Sequence, residues 1–162
     1  MKKFLFVAVL ALASVMAYAQ PRAIGVNLGG NLGFSYQHGF GESNMLDIDV
    51  HTGIWGAAAG WWGVGAHITY DWIDPFGATV PWNEKGEWHW YMGVGGSGGI
   101  YNFAPDWYVG VAGHVGIEYD FWFPFQLSLD WRPCIGVSNT SPYWFNVAGL
   151  YHGITLGVRY KF

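Results

Sequence analysis

The chain has 162 residues, of which 20% are aromatic and only 11% are charged, and it contains 25 glycines and a single cysteine. Soluble domains carry about 25% charged residues, so this composition indicates a surface that meets lipid. Eleven acids against seven bases argue against nucleic acid as a partner, and one cysteine excludes an internal disulfide framework.

Residues 1–19 have the three parts of an export signal. Two lysines begin it, residues 4–15 are apolar, and residues 17–19 read Ala-Tyr-Ala, a small-x-small cleavage site. The alternative, an uncleaved anchor helix, is disfavoured because the apolar segment is short and lacks a charged stop-transfer flank. We therefore predict a signal peptide over residues 1–19 and one mature domain over residues 20–162, with a net charge of 5 − 11 = −6.

The mature chain alternates apolar and polar residues with a period of two. No later apolar run approaches the roughly 20 residues of a transmembrane helix, so a closed barrel is the structure that could cross a bilayer with its backbone hydrogen-bonded. Residues 22–40 fit one long strand or two short ones. An even strand number favours two, 22–29 and 31–38, around a Gly-Gly-Asn turn. The other predicted strands are residues 46–54, 64–72, 88–95, 109–121, 125–132 and 150–162.

The two faces of these strands differ in chemistry. In the last six strands the face that includes Leu127 and Leu156 has no charged residue, whereas Asp130 and Arg159 lie on the opposite face. A Lys or Arg facing lipid at mid-depth would cost about 2–4 kcal/mol. The pattern therefore predicts an all-β fold, a transmembrane antiparallel up-and-down β-barrel of about eight strands.

Connections are predicted to alternate between the two sides of the membrane. Aromatic residues gather near both rims, with Trp72 and Tyr119 at the periplasmic rim and Trp107 and Tyr108 at the outward one. Pro133 lies inside the seventh strand and predicts a bulge there. The periplasmic turns are expected at residues 39–44, 74–87 and 122–124, and the outward loops at residues 29–31, 56–62, 101–106 and 138–146.

Two segments resemble the last hairpins of small OmpA/OmpX-type outer-membrane barrels, in the form common among Bacteroidetes. They are residues 116–133, GIEYDFWFPFQLSLDWRP, and residues 157–162, GVRYKF. The resemblance implies a monomer in the outer membrane of a Gram-negative bacterium, in contact with outer-membrane lipid. It also implies that Phe162 and Tyr160 form the signal that the barrel-assembly machinery reads. Such proteins have many roles, and the short outward loops disfavour an adhesin.

Hairpin register predicts a charged cluster in the periplasmic half of the lumen. His89 is expected opposite Glu118, and Gly93 opposite His114. Eight strands leave room only for side chains, so we expect a salt-bridged plug of structural role. Six acids outnumber three bases, which suggests that some carboxylates share protons. The predicted cluster is Asp47, Asp49, Asp71, His89, His114, Glu118, Asp120, Asp130, Arg132, Arg159 and Lys161.

We predict a structural or surface-related barrel with no catalytic residues, metal or cofactor. One alternative is a small cavity in the outward half, where inward glycines such as Gly65 and Gly95 could admit a lipid tail. The other is an envelope-lipid hydrolase or acyltransferase, although His51 and His67 have no convincing nucleophile beside them. A GxGxxG match at residues 93–98 lacks the helix that a dinucleotide site requires.

Overall fold

The computed structural model describes residues 21–29, 32–52, 63–75, 85–101, 106–139, 144–146 and 153–162, and the predicted signal peptide lies outside these residues. Among them, no helix is long and apolar enough to cross a membrane. The strands are β1 (Pro21–Gly29), β2 (Leu32–Gly39), β3 (Asn44–Thr52), β4 (Gly63–Ile73), β5 (Glu87–Tyr101), β6 (Asp106–Asp120), β7 (Phe125–Trp131), β8 (Cys134–Ser138), β9 (Trp144–Asn146) and β10 (Ile154–Lys161).

Eight of these strands close into an antiparallel barrel. Each of the strands β1 to β6 pairs with the next strand in the chain. Strand β7 then pairs with β10, and β10 pairs with β1, which closes the barrel. The predicted eight-stranded barrel is confirmed. The N-terminal stretch forms two strands, as parity indicated, with Leu28 opposite Leu32 across a tight hairpin. Strands β5 and β6 are longer than predicted, because Tyr101 still pairs with Asp106 where a loop was expected.

The seventh strand is interrupted at Arg132 and Pro133 rather than bulged. On β6, Val115 lies opposite Trp131 and Ala112 opposite Cys134, so the register is the same on both sides of the gap. The predicted bulge is therefore wrong. Pro133 accepts a hydrogen bond from the Gly113 amide at 2.8 Å but has no N–H to return one, which breaks the ladder without inserting a residue.

Strands β8 and β9 extend the sheet beyond this gap. Strand β8 continues along β6, and β9 pairs with β8 through Gly136 opposite Trp144. The predicted loop over residues 138–146 is thus partly wrong, because its last three residues form a strand.

The barrel is apolar outside and polar inside. On β7 the side chains alternate strictly between exposed and buried. Outward Val111 and Leu129 are 56% and 53% exposed, whereas inward Glu118 and Asp130 are fully buried. The alternation predicted from sequence is confirmed, and it brings most of the charged side chains of the strands into one enclosed space.

Candidate functional site

The enclosed lumen is the candidate site, and its two halves differ. The turn half ends at residues 40–43 and 121–124, and the far half ends at Thr52, Gly63 and Asp106. A charged network, here named the ionic plug, fills the turn half and reaches the middle of the lumen. It consists of Arg22, Asp47, Asp49, Asp71, His114, Glu118, Asp120, Asp130, Arg132, Arg159 and Lys161.

Arg159 is the centre of the plug and is almost completely buried. From β10 it donates hydrogen bonds to Ser128 at 2.6 Å, Ser35 at 2.8 Å, Asn27 at 3.1 Å and Asp130 at 3.3 Å. These partners lie on three other strands. Because a guanidinium has five N–H donors in a fixed fork, one side chain joins four consecutive strands of the barrel, β7, β10, β1 and β2.

Arg132 links the gap in the seventh strand to β3. It lies 3.1 Å from Asp47 and 3.2 Å from Asp49, and 3.8 Å from Asp130. Asp49 also accepts a hydrogen bond from Asn27 at 2.6 Å. Arg132, the first residue after β7, therefore neutralises two neighbouring carboxylates on another strand.

His114 is the buried histidine of the plug. Its Nδ1 lies 3.0 Å from both carboxylate oxygens of Asp71, and its Nε2 lies 3.5 Å from Asp130. The Tyr91 hydroxyl donates to the same Asp130 carboxylate. Asp130 thus collects contacts from Arg159, an imidazole and a phenol, which satisfies a carboxylate that is fully buried.

Arg22 is the member of the plug that sequence reasoning missed. Simple alternation places it on the outer face with Ile24, but a register irregularity between Pro21 and Ala23 turns it inward. Its guanidinium forms a bidentate pair with Glu118 and donates to Gln37 at 3.1 Å. The irregularity involves a strand-starting proline, which is the signal that could have indicated it.

This fourth base changes the charge balance expected from sequence. The plug holds six acids and, with Arg22, four Lys or Arg side chains. His114 faces Asp71, and His51 donates to Asp49 at 2.8 Å. The excess of acid over base is therefore smaller than the sequence alone indicates, and the sharing of protons between carboxylates stays a prediction.

Ten of the eleven predicted residues lie in the plug, and His89 does not. Its backbone pairs with Glu118 as predicted, but its ring is 2.5 Å from Asp74 and 3.6 Å from Glu87 at the rim. The ring of His89 therefore does not reach the plug as predicted, because Arg22 pairs with Glu118, the carboxylate expected for His89. Phe162 and Tyr160 are exposed with ring centroids 5.5 Å apart, and their role as an assembly signal stays a prediction.

Large side chains fill the space beside the inward glycines of the far half. A Cβ at Gly65 would overlap the Tyr108 hydroxyl and the His51 ring, and one at Gly99 would overlap the Tyr108 ring. Tyr108, predicted for the outward rim, is instead 4% exposed and points inward. The glycines make room for Tyr108, whose side chain lies over Gly99 and Gly65 on the two neighbouring strands. These positions therefore do not favour the predicted lipid-tail cavity.

Four chemically reactive side chains gather near Tyr108. The rings of His51 and His67 have centroids 4.8 Å apart, Ser97 Oγ lies 3.5 Å from His67 Nε2, and the buried Cys134 thiol contacts Ser97. His67 Nδ1 has no hydrogen-bond partner among the described residues. Among the described residues no acid is hydrogen-bonded to His67 Nδ1, so the contact of Ser97 with His67 has two members of a catalytic triad and not the third.

Comparison with known proteins adds no identity: the chain matches no protein-family model, no curated protein and no solved structure.

Proposed function

We propose that this protein is an integral outer-membrane β-barrel of structural role, whose lumen is closed by the ionic plug. The observation that carries the proposal is the inverted distribution of its side chains. Val111 on β6 and Leu129 on β7 are more than half exposed, whereas Asp130 and Arg159 are buried. A soluble monomer rarely exposes a contiguous apolar patch of more than a few hundred Å².

An aromatic cluster at the turn end supports the same proposal. Ring contacts run from Phe121 through Phe123 and Phe125 to Tyr160 and Phe162, with centroid separations of 4.9, 5.6, 6.1 and 5.5 Å. These rings are partly or fully exposed. Aromatic side chains are enriched at the level of lipid headgroups, so the cluster fits the periplasmic interface.

The sequence supplies further support. Residues 1–19 have the pattern of an export signal, and the resemblance of residues 116–133 and 157–162 to OmpA/OmpX-type barrels favours insertion by the barrel-assembly machinery. In this proposal lipid is the partner of the outer face, and the protein is a monomer.

The structural role rests on the plug. Its charged groups are paired, and two of the pairs join strands that are not neighbours: Arg22 on β1 with Glu118 on β6, and Arg132 with Asp47 on β3. Such cross-lumen pairs hold the barrel closed and occupy the space a solute would need. The hydrolase alternative has weaker support, because no described residue gives His67 an orienting acid. In the lipid-tail alternative the tail would compete with Tyr108 for space.

Fractionation of cells that produce the full chain tests the proposal. We expect the protein in the outer membrane, resistant to alkaline extraction, and migrating faster on SDS gels before boiling than after it, as a folded barrel does. A chain that lacks residues 1–19 is the matched control and should stay in the cytoplasm. Folded protein in the soluble periplasmic fraction would contradict the proposal.

A further inference from the structure

Two histidine rings lie together in the far half of the lumen, next to the ionic plug. His51 on β3 and His67 on β4 are diagonal neighbours, because His67 lies opposite Asp49 and His51 opposite Gly65. Their ring centroids are 4.8 Å apart with 37° between the ring planes. Two imidazoles from adjacent strands therefore face the same small region of an enclosed space.

His51 is held in one orientation by a chain of hydrogen bonds. Its Nδ1–H donates to Asp49 Oδ1 at 2.8 Å, and Asp49 Oδ2 is bound by Asn27 at 2.6 Å and Arg132 at 3.2 Å. This leaves Nε2 with its lone pair beside Gly65, where a Cβ would collide with it. A carboxylate that orients an imidazole through its far nitrogen is the usual second shell of a metal-binding histidine.

His67 has a buried nitrogen without a partner among the described residues. That nitrogen is Nδ1, and the other ring nitrogen, Nε2, lies 3.5 Å from Ser97 Oγ. A buried nitrogen left unpaired carries the full desolvation cost of that group. The guanidinium of Arg132 in the plug is bound to Asp47 and Asp49, and no hydrogen bond from a described residue relieves this cost.

We propose that His51 and His67 bind a divalent transition-metal ion of the Zn²⁺ or Cu²⁺ type. Imidazole suits these ions, whereas Mg²⁺ and Ca²⁺ take oxygen ligands. Within the described ranges there is no group of three or more His, Cys, Asp or Glu placed to hold one ion. Among the described residues the site therefore offers two imidazoles, and water can take the positions of the ion that these residues leave open.

This site depends on the lumen and not on where the protein resides. Its failure would leave the outer-membrane proposal untouched, and a soluble barrel with the same interior would still bind the ion. The two proposals are thus tested by separate measurements.

Metal titration of the full chain, purified in detergent and stripped with a chelator, is the test. We expect one Zn²⁺ per chain by calorimetry, and Cu²⁺ should show imidazole nitrogen coupling by electron paramagnetic resonance. His51→Ala and His67→Ala should each weaken binding by about 10-fold or more, at least the loss that outer-shell changes produce. His89→Ala is the matched control, because that ring contacts Asp74 at the turn end, and it should leave the affinity unchanged.

Two results would overturn the proposal. One is wild-type protein that binds no Zn²⁺ at millimolar concentration, and the other is unchanged binding in folded His51→Ala and His67→Ala variants. Gel mobility before boiling reports folding of each variant. Where an alanine variant does not fold, His51→Asn and His67→Gln remove the imidazole and keep a polar side chain of similar length, so the comparison can still be made.

Discussion

The two halves of the narrow lumen are filled by side chains of opposite chemistry. In the turn half, charges neutralise one another, as in the bidentate pair of Arg22 with Glu118 and the contacts of Arg159 with Asp130. In the far half, Tyr108 lies across Gly65 and Gly99 and leaves two histidines beside it. An eight-stranded barrel leaves room only for side chains, but the strand number does not decide whether those side chains are ionic or aromatic. The ionic half couples many strands, whereas the aromatic half places the imidazole rings of His51 and His67 side by side.

Removing a central charge of the plug should have the largest effect. We expect Asp130→Ala to lower the free energy of unfolding by about 3–5 kcal/mol, because the buried guanidinium of Arg159 would lose the carboxylate that lies closest to it. Urea unfolding in lipid vesicles, followed by tryptophan fluorescence, measures this. The neighbouring outward substitution Leu129→Ala is the control and should cost less. A loss below about 1 kcal/mol for Asp130→Ala would mean that the plug does not hold the barrel together.

A charge on the outer face should have the next largest effect, and it distinguishes lipid from water outside the barrel. In vesicles Val111→Arg should cost about 2–4 kcal/mol, because Val111 is 56% exposed near the middle of β6. The same substitution at Trp122, in the turn at one end of the barrel, should cost at most about 1 kcal/mol. Equal and negligible costs at both sites would indicate that the outer face meets water.

A methyl group added at a glycine should give the smallest effect. It compares the inner face of the sheet with its outer face. Gly65→Ala places its Cβ against the Tyr108 hydroxyl and His51, so we expect a loss of about 1–3 kcal/mol from overpacking. At Gly96, on the outer face, the nearest atom is 3.9 Å away. Gly96→Ala should be neutral or stabilise by up to about 1 kcal/mol. Unfolding midpoints that shift equally would contradict a filled far half.

Period-two alternation predicted the barrel and most of the plug, and the even strand number of such barrels decided that residues 22–40 form two strands. In β3 to β7 and β10 the charged residues lie on one face, so residues such as Asp47 and Asp130 could be placed inside without knowing their partners. Hairpin register also predicted that His89 pairs with Glu118 and Gly93 with His114. These features are local: they depend on which side of its own strand a residue occupies and on the turn that joins two strands.

Only the closed barrel decided which inward side chains meet across the lumen. Arg22 pairs with Glu118, 96 positions later in the sequence, and His89 instead contacts Asp74. Tyr108 enters the lumen because glycines on two neighbouring strands leave it space. The contact between a side chain and its partner on the opposite wall depends on closure, on an irregularity at Pro21 and on the volumes of all neighbours, none of which a single strand contains.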